Sequence, residues 1–326
     1  MARKLSMSAA LREALAQILR NDDKAFLIGE DIGVYGGAFK ISRGFAAEFG
    51  DRRVIDTPIS EAGIVSVSCG AALMGSRPII EIMFMDFLML AMDAVVNVAV
   101  KWEATYGGGF AMPLLIRCPA GAGRSYGPTH SQSFEGMLQT VPGLQVVCPA
   151  TPADAAGLLL GAYESAKPTV FVEHKALYAR SGPVPETLTS MPLGEARVLR
   201  RGSDVSLFAY GRQVPVAWAA AEALARQGVQ AEVVDLRCIR PLDRATVAES
   251  LSRTGRGLSL EESPVAGGIG AELAAVAMSD AFDYLEAPFQ RLGPKGDIIP
   301  CNKALEAACF PTVAEVAAAA AELANY

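Results

Sequence analysis

At 326 residues the chain exceeds the ~250–300 at which one core gives way to two, so two domains are expected, and 51% hydrophobic residues suffice to fill both. A formal net charge of −6 argues against nucleic acid as the main partner. The 6 cysteines form no C-x-x-C pair and fall mostly in apolar runs, the habit of reduced, buried thiols, so a cytoplasmic location is expected.

Met1-Ala2-Arg3-Lys4-Leu5 passes straight into an amphipathic segment without an apolar leader, so no secretory or organellar address is expected. Strand-like runs follow at Ala25–Gly29, Val54–Ile55, Pro78–Met83, Leu114–Arg117, Leu144–Cys148 and Thr169–Glu173, with helical patterns between several of them. Such alternation predicts a parallel sheet covered on both faces. The long apolar run Ile79–Val100 contains Glu81, Asp86 and Asp93, each costly in hydrocarbon, and reads as a buried strand followed by a core helix; no membrane is expected as a partner. From Ser181 to Pro192 the chain turns to Pro, Ser, Thr and Gly, which predicts a linker. A second alternating unit follows: strand Val205–Tyr210, helix Val214–Gln227, strand Ala231–Leu236, helix Ala245–Thr254, strand Leu258–Leu260, helix Ala271–Met278, and a closing helix Val313–Leu323.

Asp56-Thr57-Pro58-Ile59-Ser60-Glu61-Ala62-Gly63 puts one carboxylate, Glu61, at a strand-to-helix corner and at the head of an apolar segment free of charge until Arg77. Two readings stand. Ligands bind at such corners in α/β proteins, and a carboxylate also favours a helix N-terminus for electrostatic reasons alone. Of the two histidines, His174 ends a strand and reads as a plain polar terminus, whereas His130 lies in a long Gly-rich polar loop after a strand, where catalytic groups are displayed. Gly267-Gly268-Ile269-Gly270 mimics a dinucleotide fingerprint, but Leu273 stands where the third glycine belongs, so a tight strand–helix turn is the better account.

The D-T-P-I-S-E-x-G segment, the later His130-Ser131-Gln132-Ser133, and the sheet–linker–sheet layout resemble the beta subunit of the thiamine-diphosphate-dependent component of 2-oxoacid dehydrogenase complexes. The resemblance spans nearly the whole chain. It includes Gly29-Glu30-Asp31, Gly36-Gly37-Ala38-Phe39-Lys40, Ser42-Arg43-Gly44, Arg77-Pro78, Pro142-Gly143-Leu144 and Arg240-Pro241-Leu242.

The resemblance implies an α/β fold: a transketolase-like pyrimidine-binding domain over residues 1–182, a linker over 183–195, and a smaller transketolase C-terminal-type domain over 196–326. It implies thiamine diphosphate as cofactor, with Glu61 on aminopyrimidine N1′, Phe87 packed on that ring, Ile59 beside it, and Glu30 in support. His130 would face the entrance and assist acyl transfer to a lipoyl arm. The metal–diphosphate motif G-D-G is missing, since Gly50-Asp51 continues to Arg52 and Gly296-Asp297 to Ile298. An alpha subunit would therefore hold Mg²⁺ and the diphosphate in an α2β2 heterotetramer, with a lipoyl acyltransferase as further partner and no metal ligands on this chain. The implied reaction is oxidative decarboxylation of pyruvate or a branched-chain 2-oxoacid. Acetoin cleavage is the alternative, on Met83–Phe87, Pro149–Pro152 and Glu173–Tyr178, and the carboxyl half of a split transketolase is another.

Overall fold

Two units make up the computed structural model, which describes residues 2–296 and 298–326, so Asp297 lies outside the described residues. Met1–Ala120 and Val141–Leu193 form the first unit; Gly121–Thr140 and Gly194–Tyr326 form the second.

The first unit runs β1 (Ala2–Ser6), α1 (Met7–Asn21), β2 (Ala25–Gly29), α2 (Phe45–Phe49), β3 (Val54–Asp56), α3 (Glu61–Leu73), β4 (Arg77–Glu81), α4 (Met85–Leu88), α5 (Trp102–Thr105) and β5 (Leu115–Ala120). After α6 (Glu135–Gln139), which belongs to the second unit, come β6 (Gln145–Val147), α7 (Pro152–Glu164), β7 (Thr169–His174) and β8 (Ser181–Pro185). Six of these strands lie side by side in the order β6-β7-β5-β4-β2-β3, every neighbouring pair parallel. The central strands β5 and β7 are buried along their whole length and β2, β4 and β6 at all but one position each, as the near-continuous apolar runs anticipate, while edge strand β3 ends in the exposed Asp56. Ser6 caps α1 by accepting from the Ala9 N–H, and Met7, Ala10, Leu11, Ala14, Leu15, Ile18 and Leu19 form its buried stripe against α7. Thr151 caps α7 in the same way, with Pro152 pre-set for the first turn.

One expectation is corrected here. The start of the Pro-rich segment read as linker is strand β8, paired antiparallel with β1 from Ala2↔Pro185 to Ser6↔Ser181. Proline lacks an N–H, which argues against a central strand, but a two-stranded ribbon consists only of edges and leaves Pro183 and Pro185 room to turn their donor-free side outward.

The second unit continues with β9 (Arg197–Arg200), β10 (Val205–Ala209), α8 (Gln213–Ala225), β11 (Ala231–Asp235), β12 (Cys238–Arg240), α9 (Arg244–Thr254), β13 (Gly257–Leu260), α10 (Ile269–Asp280), β14 (Gln290–Leu292), α11 (Lys303–Ala308) and α12 (Val313–Ala324). Its sheet has the order β14-β13-β10-β11-β9, parallel except for antiparallel β9. Neither edge strand is legible in the sequence, β9 being rich in arginine and β14 only three residues long. A capping box of Thr312 and Glu315 starts α12 after Pro311 has ended the preceding turn.

Candidate active site

The carboxyl ends of β2, β3 and β4 lead into Glu30, Ile59 and Glu61, and Phe87, four of the residues singled out in the sequence. Glu61 is the first residue of α3 and is 5% exposed. Glu30, one residue past β2 and 7% exposed, accepts from the Ser60 N–H at 3.4 Å, so the two carboxylates flank one corner. Burial raises the Glu30 pKa, and the neighbouring Glu61 charge raises it further, against the opposing hydrogen bond from Ser60. Ser60 makes no side-chain cap, so the start of α3 relies on carboxylates instead. Ile59 is 82% exposed at the same corner, an apolar side chain presented to whatever fills it.

Phe87, half-buried in α4, belongs to an aromatic chain: its ring meets Phe84 edge-on at 6.2 Å, Phe84 meets Phe39 at 5.8 Å, and Phe39 meets Tyr178 at 5.0 Å. Tyr178 donates its hydroxyl to Glu173 at 2.7 Å. Beneath it Arg117 grips both Glu173 oxygens at 2.7 and 2.9 Å and Glu81 at 2.6 Å, all three residues buried. Such a bidentate, fully enclosed clamp fixes the orientation of three strands, and removing its cation would strand two buried carboxylates. Sequence reading overlooked this triad. Its signal was a charged residue, Glu81, Arg117 or Glu173, directly following or within the apolar run of each of three neighbouring strands, β4, β5 and β7.

His174 is a buried cap and not a mere polar terminus: its Nδ1 accepts from the Ala176 N–H at 3.2 Å, closing the short turn Lys175–Leu177.

His130 belongs to the second unit, within the 121–140 excursion that the sequence-based boundaries left in the first domain. The excursion is fastened from both sides. Ala122 donates its N–H to Glu262, Gly123 and Ser125 donate theirs to Glu306, and Ser263 bonds Ser133, Glu135 and Gly136. The His130 Nδ1 lies 3.0 Å from Thr129 Oγ1, and its N–H donates to Gly127 O. Beside it opens a cavity of about 570 Å³ lined by Pro128, Thr129, Gln132, Phe134, Val265 and Ile299, with Glu262 at its wall.

The glycine-rich segment before α10 is the expected strand–helix turn. Glu261 accepts from the Ile269 and Gly270 N–H groups at 2.7 and 3.0 Å, occupying the helix N-terminus where a dinucleotide's phosphates would sit. A Cβ on Gly268 would come 2.4 Å from that carboxylate, so glycine is required for its close approach.

A buried carboxylate at the carboxyl edge of a parallel sheet, followed by a second α/β unit, is the architecture of the transketolase class. Residues 3–180 match the family described as "Transketolase, pyrimidine binding domain", and residues 194–316 the family "Transketolase, C-terminal domain". Over 323 residues the chain is 39% identical to the pyruvate dehydrogenase E1 component subunit beta of Rickettsia felis, covering 99% of each chain. It is 40% identical to the acetoin:2,6-dichlorophenolindophenol oxidoreductase subunit beta of Cupriavidus necator, covering 98% of this chain and 97% of that one. The protein therefore belongs to the E1-type dehydrogenase beta-subunit family that includes these two relatives. Among solved structures, a split-gene transketolase described as an inactive beta4 tetramer shares the fold, with TM-score 0.79 at 24% identity over 98% of this chain and 99% of that chain.

Proposed function

We propose that this protein is the beta subunit of a thiamine-diphosphate-dependent dehydrogenase that decarboxylates a 2-oxoacid and passes the acyl group to a lipoyl arm. The observation that carries this reading is the Glu61 carboxylate, 5% exposed beside Glu30 at the carboxyl edge of the sheet. The donor set fits the aminopyrimidine half of the cofactor: a buried carboxylate for a ring nitrogen, the half-buried Phe87 ring for its face, and the open Ile59 side chain for its edge. When bound, thiamine diphosphate supplies a nucleophilic thiazolium carbon. Glu61 would share a proton with ring atom N1′ and so would favour the aminopyrimidine tautomer that activates the cofactor. Burial, and after it the Glu61 charge, raise the Glu30 pKa, so Glu30 holds its proton more readily than an ordinary carboxyl. His130 delivers a proton to the sulfur of the opened dithiolane during acyl transfer.

An alpha subunit supplies the diphosphate and Mg²⁺ contacts in an α2β2 assembly. The missing G-D-G motif supports this, as does the exposure of Val67, Met74 and Leu90, large apolar side chains that a partner subunit would cover. Acetoin as substrate is the second reading, favoured by the 40% identity to the Cupriavidus necator subunit.

The test is reconstitution with the alpha partner, assayed on pyruvate, branched-chain oxoacids and acetoin with a dye acceptor and, separately, with lipoyl domain. The expected result is dye reduction with one of these substrates. His130→Ala should lower lipoyl acylation on the order of 10²–10⁴-fold while largely sparing dye reduction, because only acylation needs the sulfur protonated. Equal losses would move His130 into substrate or cofactor binding. Inactivity on all three substrates would overturn the proposed function.

A further inference from the structure

The backbone from Gly121 to Gly127 alternates into the left-handed region, at Gly121 (φ +81°), Gly123 (+94°), Ser125 (+56°) and Gly127 (+79°). Alternation of this kind turns successive N–H groups toward one side and makes a concave anion seat. A carboxylate of this same chain fills it. Glu306, on α11 and 3% exposed, accepts from Gly123 N–H at Oε1 and from Ser125 N–H at Oε2, both at 2.9 Å. Glu262 accepts from Ala122 N–H at 3.2 Å, but it is also held by Arg212 and Gln213 and so anchors the loop's root. The segment before α11 adds a second contact: a Cβ at Gly127 would stand 2.3 Å from Cys301 Sγ, so the turn leading to His130 is pressed against that side chain. Residues 301–306 thus hold the loop both before and at the turn whose Gly127 carbonyl accepts from the His130 N–H.

We propose that Glu306 is the positioning residue for His130: by seating its carboxylate in the 123–125 backbone it fixes the loop that aims the imidazole at the incoming lipoyl sulfur. This rests on the role of His130 proposed above. Ordering a histidine loop from an element more than 170 residues later in the chain costs nothing at the moment of reaction, because the anion seat is filled before substrate arrives.

The experiment compares Glu306→Gln, Glu306→Asp, His130→Ala and the double variant Glu306→Gln/His130→Ala in the reconstituted enzyme, by lipoyl acylation and by dye-coupled decarboxylation. Glutamine sets an amide donor against a backbone N–H, whereas aspartate keeps the charge but is one methylene short. Glu306→Gln should lower kcat for lipoyl acylation about 10- to 100-fold with dye-coupled turnover within about twofold, and Glu306→Asp should show a smaller loss of the same kind. The double variant should be no slower than His130→Ala, since residues acting as one unit are not additive. A purely structural carboxylate would instead depress both assays together or add to the His130 defect, and either result overturns the proposal. Should Glu306→Gln fail to assemble, Glu306→Asp carries the same comparison, and failure of both assigns the carboxylate to folding and overturns it. If His130→Ala itself shows no selective loss, the histidine's role falls and this inference with it. If that loss is selective and Glu306→Gln behaves as wild type, this inference alone falls.

Discussion

At the scale of single residues, the corner before α3 holds two carboxylates where an ordinary helix start would use one capping side chain. Burial, and after it the neighbouring Glu61 charge, raise the Glu30 pKa, so holding the two carboxylates at one corner costs stability, and a folded protein keeps such a pair where the charge has a use. Glu61→Gln should therefore lower turnover on the order of 10²–10³-fold in both the dye-coupled and lipoyl assays, matching a loss of about 3–4 kcal/mol for a polar group that acts in the transition state. The thermal midpoint should hold or rise, because the amide removes the repulsion on Glu30. Near-normal turnover would take Glu61 out of the mechanism and leave it as a helix-terminus carboxylate. Glu61 could be singled out by sequence alone because a charge heading an apolar helix is conspicuous. Glu306 could not, because its partners are backbone N–H groups of residues 123 and 125, which carry no side-chain signature.

At the scale of elements, α6 meets the end of β13 through Glu135, Ser263 and the neighbouring acids Glu261 and Glu262. Burial pushes the Glu135 carboxyl up to about 7 from an ordinary 4.5, the nearby acids adding to the effect and the Ser263 hydroxyl opposing it. Burial likewise carries Glu261 to about 7. An acid whose pKa is raised by folding binds its proton more tightly in the folded state, so stability is lost as pH rises from about 4.5 to about 7 and is flat beyond. For Glu135 alone a rise from 4.5 to about 7 corresponds to about 3 kcal/mol. Glu135→Gln should shrink the difference in unfolding free energy between pH 5 and pH 8 by about that amount, read by urea titration of the intact chain at the two pH values. An undiminished pH dependence would show that Glu135 ionises like an exposed acid. Strand β13 and helix α10 in this neighbourhood were readable from their periods, since an apolar pattern survives in the sequence whatever packs against it, whereas the five-residue α6 was not. The β1–β8 ribbon was not, because five paired residues rich in Arg, Lys and Pro carry no apolar pattern.

At the scale of the whole molecule, the proposed function gives this chain the contacts to the aminopyrimidine half of the cofactor alone. Thiamine diphosphate should bind negligibly to this subunit alone and tightly once the alpha partner and Mg²⁺ are present, a contrast that titration calorimetry reads directly. Tight Mg²⁺-dependent binding by the isolated subunit would refute the division of the site between subunits. The two units also divide the chain differently from the order of its motifs. The 121–140 excursion lies within the stretch matched to the pyrimidine-binding family, yet its hydrogen bonds go to Glu262, Ser263 and Glu306.

What the sequence determined by itself was the α/β class, the order of the central strands and the longer helices, and the family, through Asp56–Gly63 and the His130 loop. These are local facts: hydrophobic period, corner residues and motif spacing are complete within short windows. Only the tertiary structure decided that Arg117 binds Glu81 and Glu173, that His174 is a cap, and that the loop carrying His130 is seated on a carboxylate 181 residues beyond Ser125. The triad and the Glu306 seat join groups far apart in the chain, and the His174 cap, though local, depends on the burial that holds its ring over the turn, so in each case the partner is chosen by folded geometry and not by the residues next to it in sequence.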